Sequence, residues 1–269
     1  MPVCDVHRCM LRRLEDAEAR LNQWIADGKP LELCDELADL SSLAALAGEY
    51  RDALGSADSD RLDALTRRVR VQLLPKSEAD RLDALLLLHS ENDLSERLEQ
   101  MYLRLAGELH WRSAPVGFSD GKRGLCIRMG DLLAYPYQLL KNETGIHLSG
   151  DERCAVTALP LAVGVSSEGY SFEAFVRPEE SGHRPHRFAS CVRAIRGGLA
   201  CESLSMRSFA PNRDLALSAL DARLKRPAVP TDLIRDYDFW GGILTDRRLG
   251  QDYDIGDLMP LFESLLLAD

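Results

Sequence analysis

The stretch from Ile234 to Gly250, IRDYDFWGGILTDRRLG, decides how this chain of 269 residues is read. On residue types alone, Tyr237 to Leu244 is a strand-like piece rich in aromatic and aliphatic side chains. Downstream, the spacing of Leu258, Leu261, Phe262 and Leu265 predicts a final helix over about Ile255 to Leu267. Upstream, Pro227 to Pro230 looks like a linker. Before it, Asn212 to Leu224 reads as a helix with Leu215, Leu217, Leu220 and Leu224 available for burial.

Further upstream, short strands dominate: Cys154 to Ala158, Leu161 to Val165, Tyr170 to Val176, Ala189 to Ile195 and Leu199 to Leu204. Turn residues part them at Ser167-Glu168-Gly169 and Arg196-Gly197-Gly198. Between two of these strands lies a polar segment, RPEESGHRPHRFASCVRAI from Arg177 to Ile195, carrying Arg177, Arg184, Arg187 and Arg193 with His183 and His186. The chain as a whole has a net charge of -10, yet Arg177 to Arg226 holds ten Lys/Arg against five Asp/Glu. Basic charge is therefore gathered in one region, which faces either an anion or solvent.

The first half is helical before it becomes mixed. Leu11, Leu14, Leu21, Trp24 and Ile25 mark an amphipathic helix that stops at Gly28-Lys29-Pro30. A second stripe runs from Leu33 to Leu54, with a break expected near Ser41-Ser42, and a third uses Leu62, Leu65, Val69 and Leu73 before Pro75. Together they predict a small helical bundle. Asp83 to His89 suits a buried strand, and Ser90-Glu91-Asn92-Asp93 has the form of a capping box opening a helix over 91–108. Strands are expected over Trp111 to Phe118 and Leu125 to Met129, joined through Ser119-Asp120-Gly121. A short helix from Leu132 to Asn142 follows, disturbed by Pro136 and closed by Gly145. Segregated helices and hairpin-connected strands make the expected class α+β.

Seven cysteines at irregular spacing, with no signal peptide read at the N-terminus, are expected as reduced thiols of a cytoplasmic protein. The apolar run Leu85 to Leu88 is far too short to span a bilayer. Cys4, His7 and Cys9 lack a second Cys/His pair at finger-like spacing. His183 and His186 stand near Cys191, but loop histidines are more often solvated than ligating. No metal and no cofactor are expected.

Read as words, the chain resembles the bacterial class I peptide chain release factors. That family writes IRTYNFPQGRVTDHRIG where this chain has its 234–250 stretch, and Ile234, Arg235, Tyr237, Phe239, Gly242, Thr245, Asp246, Arg248 and Gly250 match. RSFAPNRDLALSALDARL, from Arg207 to Leu224, is similar to the family's RSQxxNRxxALxxLxARL helix. Leu73-Leu74-Pro75-Lys76, Met101-Tyr102, Ala134-Tyr135 and Glu143-Thr144-Gly145-Ile146-His147 match further words in the family's order. The resemblance implies an N-terminal helical domain over 1–75, a central domain divided between 76–160 and 228–269, and a strand-rich domain inserted over 161–227. It also implies a ribosomal partner, with ribosomal RNA and tRNA as the polynucleotides touched.

Two of the family's words are missing. After its counterpart of His147 the family carries a codon-reading loop with a Pro-x-Thr or Ser-Pro-Phe tripeptide; here only Leu148 to Arg153 precede the next strand, with neither tripeptide. Counting back from Ser190-Cys191-Val192-Arg193, the family's Gly-Gly-Gln falls on Ser181, Gly182 and His183, so the middle glycine alone is kept. The glycines allow unusual backbone geometry and the Gln backbone N–H stabilises a leaving oxygen, which Ser181 with its Cβ disfavours. The expectation is a protein that binds the ribosome or structured RNA through Arg177, Arg184, His186, Arg187, Arg193, Arg207 and Arg213, without codon reading or peptidyl-tRNA hydrolysis. Two alternatives stay open: a codon-independent hydrolase using His183, and a protein-interaction module acting through the N-terminal helices.

Overall fold

The computed structural model describes residues 5–27, 35–56, 59–130, 135–176, 190–225 and 230–268. In chain order its elements are α1 (Asp5–Ala26), α2 (Asp35–Ser56), α3 (Ser59–Leu73), β1 (Asp83–Ser90), α4 (Leu94–Glu108), β2 (Arg112–Phe118), β3 (Arg123–Arg128), α5 (Pro136–Leu140), β4 (Gly145–Ser149), β5 (Glu152–Leu161), β6 (Ser171–Phe175), β7 (Cys191–Arg196), β8 (Leu199–Ser203), α6 (Phe209–Lys225), β9 (Leu233–Asp238), β10 (Ile243–Asp246), β11 (Gln251–Asp254) and α7 (Met259–Ala268). Short 3-10 turns lie at Ala79–Arg81 and Lys141–Glu143. The class is α+β, as the residue patterns predict.

One compact unit combines residues 1–77 and 131–134 with the C-terminal 259–269. Leu14 of α1, Leu46, Ala47, Tyr50 and Ala53 of α2, and Leu65 and Val69 of α3 form its core. The helical spacing of these residues lets one stripe per helix be buried, and that burial, more than propensity, stabilises the helices. Two expectations are corrected. Ile25 is 57% exposed because it sits on the last turn of α1, beyond the buried stretch from Leu14 to Ala17. Ser41-Ser42 does not break α2: Ser42 is buried within a continuous helix, since flanking Leu40 and Leu46 supply packing that outweighs the weaker propensity of serine. Against α3, α7 buries Leu261, Phe262 and Leu265, and its Glu263 lies 3.5 Å from Arg67. Leu33 falls outside the described residues.

The second unit, residues 78–130 and 135–258, is built on one sheet of eleven strands among the described residues. Its order is β11-β10-β9-β4-β5-β1-β3-β2-β8-β7-β6. Every neighbouring pair is antiparallel except β4 and β9, which run parallel. Alternation along β1 sends Leu85 and Leu87 into a core with Leu215, Ala219 and Leu220 of α6, while Ala84, Leu86 and Leu88 point to the other face and are equally buried. This explains the unbroken apolar run in β1.

Local punctuation departs from expectation in five places. The Ser90 to Asp93 stretch is no capping box: Asp93 precedes α4 without a side-chain cap, while the Ser90 hydroxyl turns to the Arg153 carbonyl at 2.8 Å. Pro136 opens α5 instead of disturbing it, because a first-turn proline loses no helical hydrogen bond. Where two strands are expected between Cys154 and Val165, β5 is one strand that carries Pro160 opposite Ala84 and ends at Leu161. The strand-like piece Tyr237 to Leu244 is a hairpin, β9 turning into β10 through Phe239 to Gly242, with Gly242 at φ 71°. The last helix starts at Met259 instead of Ile255, whose N–H donates to the Gly242 carbonyl at 2.9 Å.

Candidate functional site

In the second unit, α4, the 3-10 turn Lys141–Glu143, β4, β9 and β10 bring six polar side chains into a place that water does not reach. Glu143, His147, Arg235, Asp246 and Tyr102 are fully buried, and Tyr237 is 4% exposed. Both outer nitrogens of Arg235 donate to the two carboxylate oxygens of Glu143, and its Nε donates to Asp246 Oδ2 at 3.1 Å. The Tyr102 hydroxyl donates to Glu143 Oε2 at 2.7 Å. Arg248 closes the set from the rim, donating from Nη2 to Asp246 Oδ2 at 2.6 Å and from Nη1 to the Asn142 carbonyl at 2.6 Å. Two carboxylates meet two guanidiniums, so the cluster is neutral as a whole, and its planar bidentate geometry is what arginine supplies best.

His147 bridges this cluster to Tyr237. One ring nitrogen, Nε2, faces the Glu143 carbonyl at 3.0 Å, which can only accept, so Nε2 carries the proton. Nδ1, 2.9 Å from the Tyr237 oxygen, then accepts the phenol proton. Burial, helped by the Arg235 charge, lowers the His147 pKa to about 4 and keeps the ring neutral. Burial pushes Asp246 up, but hydrogen bonds from Arg248 and the Arg235 charge outweigh this and hold its carboxyl below the usual range. Every one of these side chains is used internally and none opens onto solvent except Arg248. Glu143, His147, Arg235, Tyr237, Asp246 and Arg248 are therefore the joints of the fold, not a reactive centre.

Beside that cluster the chain makes a very tight connection. β4 and β5 pair with Ser149 opposite Glu152, so only Gly150 and Asp151 form the loop after His147. Gly150 has φ 59°, the left-handed backbone that two-residue hairpin loops require. Flanking it, a pocket of about 550 Å³ is lined by His89, Glu91, Asn92, Asp151, Arg153 and Thr231 among others.

Of the ten residues singled out in the sequence for catalysis or RNA contact, Arg177, Ser181, Gly182, His183, Arg184, His186 and Arg187 lie outside the described residues. The other three flank that segment. Arg193, on β7, is held by Glu202 at 2.6 Å and Glu173 at 3.0 Å. Arg213, on α6, pairs with its neighbour Asp214 at 2.8 Å. Arg207 is exposed just before α6. Nearby cations are similarly engaged: Arg196 lies 4.6 Å over the Tyr170 ring, Arg223 pairs with Asp120, and Lys225 pairs with Asp221 at 2.6 Å. Among the described basic residues of this region, Arg207 is exposed while the others are engaged by neighbouring acids or rings; Arg177, Arg184, Arg187 and Arg226 lie outside the described residues.

Asn212 is the positioning residue that sequence reasoning passed over. Fully buried on α6, it donates from Nδ2 to the carbonyls of Ser190 at 2.7 Å and Met206 at 2.9 Å. Its Oδ1 accepts from the Ser203 hydroxyl at 2.8 Å and the Met206 N–H at 3.0 Å. All four hydrogen-bonding positions of the amide are filled. It thereby ties the exit of the Arg177 to Ala189 segment, at Ser190, to α6 and β8. Nothing local marks it out, since Ser218 and Asp221 are also buried polar residues of α6 and the partners of Asn212 are brought to it by folding.

Among the described residues no group of three or more His, Cys, Asp and Glu could hold a metal, and no helix is long and apolar enough to cross a membrane. His7 is hydrogen bonded to the Tyr50 hydroxyl at 2.9 Å, and Cys191 is buried on β7. Burial pushes the Cys126 thiol up to about 12 and Cys154 to about 11, so both stay protonated and inert.

The words that this chain shares with the release factors, 143–147 and 234–250, supply its buried joints. No family model matches it. Peptide chain release factor 1 of Myxococcus xanthus is 24% identical over 90% of this chain and 88% of its own length. Peptide chain release factor 1 of Granulibacter bethesdensis is 27% identical over 89% of this chain and 80% of its own length. Among solved structures, RF2 of Thermus thermophilus superposes with a TM-score of 0.57 at 20% identity, covering 99% of this chain and 96% of its own. The chain resembles the peptide chain release factors in sequence along nearly its whole length and shares their fold.

Proposed function

We propose that this protein is a release-factor-like regulator that binds the ribosome or a structured RNA without reading a stop codon and without hydrolysing peptidyl-tRNA. The observation that carries the proposal is the two-residue connection after His147. Reading base edges takes several hydrogen-bonding groups placed together, and Gly150-Asp151 offers one short side chain on a turn. The second support is chemical: Ser181-Gly182-His183 stands where the release factors it resembles keep Gly-Gly-Gln. The basic segment Arg177 to Arg187 supplies backbone-directed contact to phosphates, which needs charge but no base recognition.

A peptide-release assay on ribosomes carrying labelled peptidyl-tRNA, with a stop codon or a sense codon in the A site, tests this. The expected result is release at the level of buffer for the wild type with either codon, unchanged in His183→Ala. Stop-codon-dependent release would overturn the proposal. Codon-independent release lost in His183→Ala would replace it with a hydrolase.

A further inference from the structure

The tip of the β9–β10 hairpin holds a feature that this reading does not use. Of the three tryptophans, Trp111 is buried, Trp24 is partly buried, and Trp240 is 100% exposed. Its exposure is not slackness. Asp238 Oδ1 accepts the N–H of Trp240 at 3.1 Å and of Gly241 at 3.0 Å, and Gly242 is tied to Ile255 at 2.9 Å. The preceding Phe239 is drawn inward, stacked 5.4 Å from Tyr237 with the Arg97 guanidinium 5.0 Å over its ring. A fixed turn thus presents an indole to solvent, with Ile243 beside it 47% exposed.

The surroundings are acidic. Pro230 to Leu258 contains seven Asp and three Arg. All three arginines are spent: Arg235 on Glu143 and Asp246, Arg247 on Asp236, and Arg248 on Asp246. Asp238, Asp252, Asp254 and Asp257 are exposed around the tip and along β11. β11 is the last strand of the sheet, so its outer edge has no strand partner among the described residues.

We infer that this end of the sheet is a docking surface for a Lys/Arg-rich segment of a protein partner, which adds as a strand to β11 and lays a cation on Trp240. Edge pairing supplies main-chain hydrogen bonds. The aspartates select basic side chains, and the indole face is the best aromatic seat for a cation. A polynucleotide is repelled by the same aspartates, so the inference stands apart from the proposed ribosomal role.

The test titrates the full chain with a short peptide of alternating Lys and Val, in parallel with its Glu and Val counterpart and a single-stranded RNA oligonucleotide. The expected result is a blue shift of Trp240 emission and reduced acrylamide quenching with the basic peptide alone. Calorimetry should show affinity about tenfold weaker in Trp240→Ala and in the Asp252→Asn, Asp254→Asn double variant, the scale of losing an interface anchor. Both are surface changes, and Asn keeps the oxygens that cap Gly256 and accept from Thr245. Absence of binding, equal affinity in these variants, or stronger protection of Trp240 by RNA would overturn the inference.

Discussion

Arg235 carries a full charge at a position with no solvent exposure, and two other segments of the chain supply the carboxylates, Glu143 and Asp246, that compensate it. Removing one partner of such a set leaves a buried charge unpaired, which costs more than the set contributes. Arg235→Met, leaving Glu143 without its guanidinium and Asp246 with Arg248 alone, is expected to lower unfolding free energy by about 3–5 kcal/mol in urea titration. Adding Glu143→Leu to Arg235→Met should recover part of that loss, because the two changes share one site. His147 makes a separate, pH-dependent claim. Its ordinary value of 6.5 falls to about 4 in the folded protein, so between these values the unfolded chain takes up a proton and the folded one does not. Stability should therefore fall as pH drops from 6.5 towards 4, by about 3 kcal/mol across that window. Asp246, held below its ordinary range, adds its loss only at lower pH. Thermal unfolding of wild type and His147→Gln over this range checks the claim: the slope should flatten in the variant.

At the scale of elements, the contacts that matter join segments far apart in sequence. A Cβ added to Gly145, the first residue of β4, would meet three carbons of Ile234 within 2.7 Å, because β4 and β9 lie side by side there. Gly145→Ala is expected to cost about 1–3 kcal/mol by overpacking, and Ile234→Ala in the same chain should return part of it in a double-mutant cycle. Asn212→Leu should cost about 2 kcal/mol or more, since four buried or half-buried groups lose their partner at once. The same distances explain what was legible. α3, β6, β7 and β8 announce themselves through local alternation or helical spacing, and β1 through the length of its unbroken apolar run. β4 and β11 do not, because IHLS lies in the shadow of a helix stop and QDYD is an edge strand with little apolar content. Arg235 and Asp246 read locally as ordinary solvated charges. Only as family words did they stand out, and those words proved to be structural joints. The short loop after His147 was legible by counting residues. The role of Asn212 was not, since its partners Ser190, Ser203 and Met206 are brought to it by folding.

Across the whole molecule, charge is divided between two places. The chain is acidic overall, the strands β9 to β11 and their turns carry much of that acidity, and the positive surplus falls within Arg177 to Arg226. A protein arranged this way would touch a polyanion at one place only, and with few contacts its affinity should fall with salt less steeply than that of a fully basic nucleic-acid binder. Arg184→Ala together with Arg187→Ala should reduce the slope of log affinity against log salt by about 2, the number of phosphate contacts removed, without altering thermal stability. The central claim is ribosome or RNA binding that survives without codon reading or release chemistry. Its most direct test is sedimentation of the full chain with purified ribosomes across a salt series. Co-sedimentation at low salt that weakens as salt rises and is indifferent to the codon in the A site is the expected result. Failure to co-sediment at any salt concentration, or retention only when a stop codon occupies the A site, would contradict it.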